Sequence, residues 1–175
     1  MNAAASPTGQ AFAIRNCDAL FSVTPKGRLD EFAAHVADVQ ALARQGGRRI
    51  DVYTVAVVTC RATSREADGY YRHWAIDSAD WAAVDRILAM RGVTREAFPG
   101  DFEERRLHQA NSMGGVPIVG DPDTVARELA ELATAGARGI ALSFVNYLDE
   151  LPLFRDEVLP RLVRMGLRGA DLRSE

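Results

Sequence analysis

Ile50-Asp-Val-Tyr-Thr-Val-Ala-Val-Val58 is a long β-branched apolar run. Near-continuous apolarity, without strict alternation, is what a strand covered on both faces of a parallel sheet requires. Two shorter runs have the same character, Asp18-Ala-Leu-Phe-Ser-Val23 and Gly139-Ile-Ala-Leu-Ser-Phe-Val145. Working outward from them, the intervening segments change period. Leu29, Phe32, Val36, Val39 and Leu42 recur at helical spacing, and Gly46-Gly47 ends that helix. Asp121-Pro122 reads as an N-cap followed by a first-turn proline. Val125, Leu129 and Leu132 form the stripe of that helix, and Gly136 stops it. A last helix is predicted over Leu151–Met165, with stripe Leu151, Phe154, Val158, Leu162 and Met165, and with a kink at Pro160.

Strands separated by helices imply right-handed parallel crossovers, and hence an α/β fold. The reading is the C-terminal half of a parallel (β/α)8 TIM barrel, as one domain over 1–175, with a helical insertion over about 61–119. That insertion is too long for a plain connection. It carries predicted helices at Ser64–Ala75 and Asp80–Arg91, the second capped by Ser78 and stopped by Gly92. At the other end, Asn2–Gly9 reads as a loop running straight into a helix at Pro7, with only Met1 where a strand should stand.

Composition narrows the function. The 175 residues are 47% apolar and 26% charged, with net charge −3. That balance exerts no long-range pull on nucleic acid or anionic membrane. Lys26 is the only lysine, which leaves little room for a Schiff-base or P-loop lysine. Cys17 and Cys60 each adjoin an apolar run and read as buried free thiols. Met1–Ala5 has no secretory pattern and no stretch approaches the ~20 apolar residues of a membrane span, so the expected compartment is the cytoplasm. His35, His73 and His108 lack metal-ligand spacing, and no metal is expected; His35 is assigned to the wet side of its helix. Trp74, Trp81, Tyr70 and Tyr71 are read as the packing of the insertion, and Arg48-Arg49 and Arg105-Arg106 as solvated charges. No catalytic residue is identified.

Three motifs in order carry a family resemblance. Asn2-Ala-Ala-Ala-Ser-Pro-Thr-Gly-Gln-Ala-Phe-Ala13 with Cys17-Asp-Ala-Leu-Phe21 is the first. Ile118-Val-Gly-Asp-Pro-Asp-Thr-Val125 is the second. Gly139-Ile-Ala-Leu-Ser-Phe-Val-Asn-Tyr147 with Glu150-Leu-Pro-Leu-Phe-Arg-Asp-Glu-Val-Leu-Pro160 is the third and most specific. Together they resemble the bacterial luciferase-like flavin-dependent monooxygenases, in particular the dimethyl sulfone and alkanesulfonate monooxygenase-like members.

The resemblance implies reduced FMN, supplied by a separate flavin reductase, and oxygenation of a small organic substrate, possibly organosulfur. It places the flavin phosphate on Ala4, Ala5 and Ser6. Small residues there admit the phosphate to the backbone, and the following helix offers its positive end. Two positions depart from the family pattern: Ala4 replaces a usual glycine and Val116 an aromatic. The alternative is an inactive barrel fragment or an interaction subunit. A half barrel leaves strand edges and an inner apolar face uncovered, so a homo-oligomer is expected.

Overall fold

The structure is a computed structural model that describes residues 1–4, 6–23, 28–112 and 115–169. Five parallel strands form one sheet: β1 (Asn2–Ala3), β2 (Ala19–Phe21), β3 (Asp51–Cys60), β4 (Val116–Gly120) and β5 (Gly139–Ser143). The first helices are α1 (Pro7–Asn16), α2 (Leu29–Gln45) and α3 (Ser64–Arg72), and α3 continues into a π-helical turn at His73–Asp77. Then come α4 (Trp81–Met90), α5 (Phe102–Ser112) and α6 (Pro122–Thr134). The chain ends on α7 (Tyr147–Leu153), a π-helical turn at Phe154–Val158, and α8 (Leu159–Arg164).

β3 organises the sheet. Tyr53 pairs with both Phe21 and Gly139, so β2 and β5 flank it on opposite edges. Ala56 and Val57 pair with both β4 and β5, so β4 joins the β2 edge further along. All pairings are parallel. The expected strand–helix alternation and half-barrel architecture therefore hold.

Alternation along β3 separates two faces. Val52, Ala56, Val58 and Cys60 are fully buried beneath helices. Val52 joins a core with Phe32, Val36 and Val39 of α2, while Ala56 and Val58 join a second with Val125, Leu129 and Leu132 of α6. Tyr53, Val55 and Val57 face the other way and are only half-buried. That second face corresponds to a barrel interior. Across it, Ala3, Phe21, Tyr53 and Gly139 form one register row. A Cβ at Gly139 would lie 2.4 Å from the Tyr53 ring. Glycine is required there because the tyrosine ring occupies its side-chain space.

Several expectations are corrected. Asn2–Ala3 is a short strand paired with Leu20–Phe21, not a loop. The stretch Val116–Gly120 is a strand, so the insertion ends before it. Asp80, not Ser78, caps α4, accepting from the Ala83 N–H at 3.0 Å. The insertion holds a further helix, α5, that periodicity missed. Leu42, Leu151 and Met165 are about half exposed, whereas Ala43 takes the predicted core place of Leu42. The last helical run starts at Tyr147, and the distortion expected from Pro160 takes the form of the widened turn at Phe154–Val158. The carbonyl that the Pro160 ring would strike belongs to Asp156, inside that turn.

Gly139→Ala is expected to lower the urea unfolding free energy by about 1–3 kcal/mol, because the methyl displaces the Tyr53 ring. The double variant with Tyr53→Leu should recover part of the loss. Wild-type stability in Gly139→Ala would show that the ring does not rest there.

Candidate functional site

In parallel α/β barrels the chemistry sits where the strands end. Here that end carries four features: the loop after β1, a cleft beside it, a buried ion pair, and the helices of the insertion.

The loop leads from Ala3 through Ala4 to Ser6, the N-cap of α1; Ala5 lies outside the described residues. Ser6 Oγ accepts from the Gly9 N–H at 3.2 Å, and Gln10 N–H donates to the Ser6 carbonyl at 2.9 Å. Pro7 has no N–H, which leaves the Thr8 N–H as the first-turn donor outside the cap. Ser6 is exposed, and a hydroxyl that accepts from Gly9 N–H retains its own hydrogen to donate. A Cβ at Gly9 would lie 2.9 Å from the Ala4 methyl and 3.2 Å from Ser6 Oγ. Gly9 thus lets the loop close tightly over the start of α1. These residues fit a phosphate, offering a hydroxyl, backbone donors and a positive helix end. Ala4 packs against the α1–α2 core.

Beside the loop lies a cleft of about 590 Å³ lined by Ala4, Phe21, Ser22, Glu31 and His35 among others. His35 is not on the wet side of α2. It shares a hydrogen bond of 3.1 Å with the buried Ser22. The signal was its i+3 spacing from Phe32, which sets it on the flank of the buried stripe.

Glu150 is 1% exposed. Its Oε1 accepts from Arg61 Nη2 at 2.9 Å, and its Oε2 from the Val145 and Asn146 N–H groups at 3.0 and 3.4 Å. The Arg61 guanidinium also stacks 3.7 Å from the Tyr70 ring centre and donates to the Cys60 carbonyl at 2.6 Å. This pair ties the end of β3 to the loop after β5 and to α3. Next to it, burial raises the Cys60 thiol from 9.0 to about 11, against the lowering effect of Arg61. Cys60 is therefore a protonated core thiol, as its sequence context implied, whereas Cys17 is half-buried.

The insertion sits over this end of the sheet. Trp74 Nε1 donates to Thr59 Oγ1 at 3.2 Å, and Trp74 meets Tyr71 edge-on at 5.6 Å. Trp81 carries the Arg106 guanidinium at 4.4 Å, and Arg106 also forks onto Asp85 at 2.5 and 2.9 Å. The aromatic cluster packs the insertion as expected, but Arg105 and Arg106 are paired and stacked, not simply solvated. Arg48 likewise donates to the Cys17 carbonyl at 3.1 Å. Thr63 and Glu66 form a capping box at α3, and Ser64 donates to Asp121, the N-cap of α6, at 2.6 Å. That bond holds the Asp121 carboxyl below its usual range. Among the described residues no cluster of His, Cys, Asp and Glu could hold a metal, and no helix is long and apolar enough to cross a membrane.

With this geometry in place, residues 1–139 match the family model of the luciferase-like monooxygenases. The chain belongs to that family. No curated protein sequence matches it. Among solved structures, DmoA from Hyphomicrobium sulfonivorans superposes with TM-score 0.80 at 19% identity, over 98% of this chain and 42% of that one. Riboflavin lyase RcaE, solved with modified FMN and riboflavin, gives 0.72 at 20% identity, over 98% and 44%. The long-chain alkane monooxygenase LadA gives 0.71 at 20% identity, over 98% and 42%. The chain thus spans less than half the length of these structures.

Two outcomes test the local physics. Arg61→Met should cost about 3–5 kcal/mol of unfolding free energy, because it strands a buried carboxylate. Glu150→Gln should cost less, since the amide still accepts from the two backbone N–H groups; the reverse order would refute the assignment of Glu150 as the buried charge. Cys60 also sets a pH dependence. Its folded pKa lies above the unfolded value, so its contribution is intact below pH 9 and is lost as pH rises toward 11. Wild type should lose about 2–3 kcal/mol more than Cys60→Ala across that window. Parallel pH profiles would contradict it.

Proposed function

We propose that this chain forms the phosphate-binding and lid-bearing part of a flavin-dependent monooxygenase acting on a small organic, possibly organosulfur, substrate. The observation that carries the reading is the tight turn from β1 through Ala4 and Ser6 into α1, in a chain of this family. Ser6 Oγ–H, the Thr8 N–H and the backbone around Ala5 would hold the phosphate of FMN. Bound in reduced form, delivered by a separate reductase, FMN would supply O₂ activation and oxygen transfer to the substrate. The chain's own residues bind, orient and exclude water. α1 directs its positive end at the phosphate. The insertion, anchored through Trp74 on Thr59, covers the strand ends. The Arg61–Glu150 pair holds the roof and the loop after β5 at fixed spacing.

A second reading, an interaction subunit without catalysis, is favoured by one observation. The inner face bearing Phe21, Tyr53, Val55 and Val57 is apolar and incompletely covered. Both readings require that face to meet further protein, as a second copy or another barrel half.

Fluorescence titration separates them. On the first reading a protein carrying both barrel halves binds FMN tighter than riboflavin, which lacks the phosphate, whereas this chain alone binds flavin weakly or not at all. Ser6→Asp should weaken FMN binding by about 1–2 kcal/mol, roughly tenfold, while leaving riboflavin unaffected. Aspartate remains a good N-cap, so the helix is preserved. Equal affinity for FMN and riboflavin would favour the subunit reading.

A further inference from the structure

The cleft beside the phosphate loop holds one group that the proposed function leaves unused. His35 belongs to α2, yet it lines the same cleft of about 590 Å³ as Ala3 and Ala4 at the end of β1 and Gln10 early in α1. Gln10 N–H donates to the Ser6 carbonyl, so this wall is continuous with the capped first turn of α1. The imidazole is half-buried and held in place. Its Nε2 lies 3.1 Å from Ser22 Oγ, and Ser22 is buried just past β2, its own N–H donating to the Tyr53 carbonyl at 2.8 Å. A hydroxyl donates to a neutral ring or accepts from a protonated one, so the bond survives either charge state. It uses Nε2 and leaves Nδ1, which becomes a second donor once the ring is protonated.

We propose that His35, in its protonated form, is the cationic partner of the anion held at the β1–α1 loop, so that recognition of the flavin phosphate tightens as pH falls. The proposal rests on the reading of that loop as the phosphate site. The other charges around the ring leave this role to it. Among the described residues lining the cleft, β1, β2 and α1 contribute no ionisable side chain. On α2 itself Glu31 lies one turn before His35 and is paired with Arg28, and Asp38 lies one turn after it and is exposed. An anion at the loop therefore meets one matched ion pair and one group whose charge is set by pH. The end of α1 offers only about half an elementary charge, to which an imidazolium adds a whole one. A nearby dianion favours the protonated ring, so anion binding takes up a proton there. Binding is tightest where the ring is charged and weakens as pH rises through the range in which histidine titrates.

The test titrates inorganic sulfate into the ¹⁵N-labelled chain at about pH 6 and about pH 8.5, with chloride at matched ionic strength as the control, and follows the Thr8 and Gly9 amides by NMR. Sulfate remains a dianion at both values, so any pH dependence belongs to the protein. Both amides should shift saturably, with affinity about three- to tenfold higher at the lower pH. His35→Gln, whose amide can keep the bond to Ser22, should bind sulfate equally at both pH values. Saturable binding at the loop that is equal at both pH values in the wild type, or a pH dependence that persists in His35→Gln, overturns the role of His35 and leaves the phosphate loop standing. No movement of Thr8 and Gly9 at either pH overturns both. The wild-type comparison decides even where the variant folds poorly.

Discussion

A carboxylate buried to 1% exposure is expensive, and Glu150 persists only because three donors converge on it. The donors come from two structural duties. Arg61 follows the last residue of β3, and the Val145 and Asn146 N–H groups belong to the turn that starts α7. Without the carboxylate those two backbone donors would lose their acceptor, and the turn its fixed shape. Arg61 is in turn pinned on Tyr70 of α3. The position of the insertion over the sheet therefore depends on a charge supplied from the far end of the sequence.

That dependence explains what the sequence shows and what it hides. β3 is legible because Val52–Val58 is an unbroken run rich in β-branched residues, and α6 because cap, first-turn proline and stripe agree. β4 is hidden because Pro117 and the following Gly120-Asp-Pro look like turn chemistry. Pro117 is nonetheless paired parallel with Val57. β1 is hidden because two residues carry no period. In α2, Leu42 and Ala43 compete for one core place, and the smaller residue occupies it. The Arg61–Glu150 contact spans 89 positions and has no periodic trace. Glu150 was visible only as part of a motif resembling a family, which marks the residue without stating its physical task.

The loop at Ala4–Ser6 poses the converse case. The resemblance singled out these positions for a phosphate, while local chemistry alone explains Ser6 as a cap. The geometry makes the two roles compatible, since a serine hydroxyl that accepts from Gly9 N–H keeps its own hydrogen to donate. Gly9 matters as much as Ser6, because it allows Ala4 to lie directly over the first turn. His35 could have been found by the same care with spacing, being one helical step from Phe32 and beside Val36.

The proposed phosphate loop contrasts with how the chain uses its cations. Of 21 basic residues, 20 are arginines. Several near the insertion and α6 are engaged by carboxylates: Arg106 by Asp85, Arg105 by Asp101, Arg161 by Asp123 and Glu157. Such exposed pairs contribute little to stability individually. Collectively they neutralise cations that could otherwise bind an anionic group, and they keep the strand-end side free of a strong positive field. On the proposed reading, a phosphate would find its compensation at the α1 terminus, whose partial charge is fixed by the backbone. The Arg61–Glu150 pair, stacked on Tyr70, meanwhile holds the insertion to the strand ends.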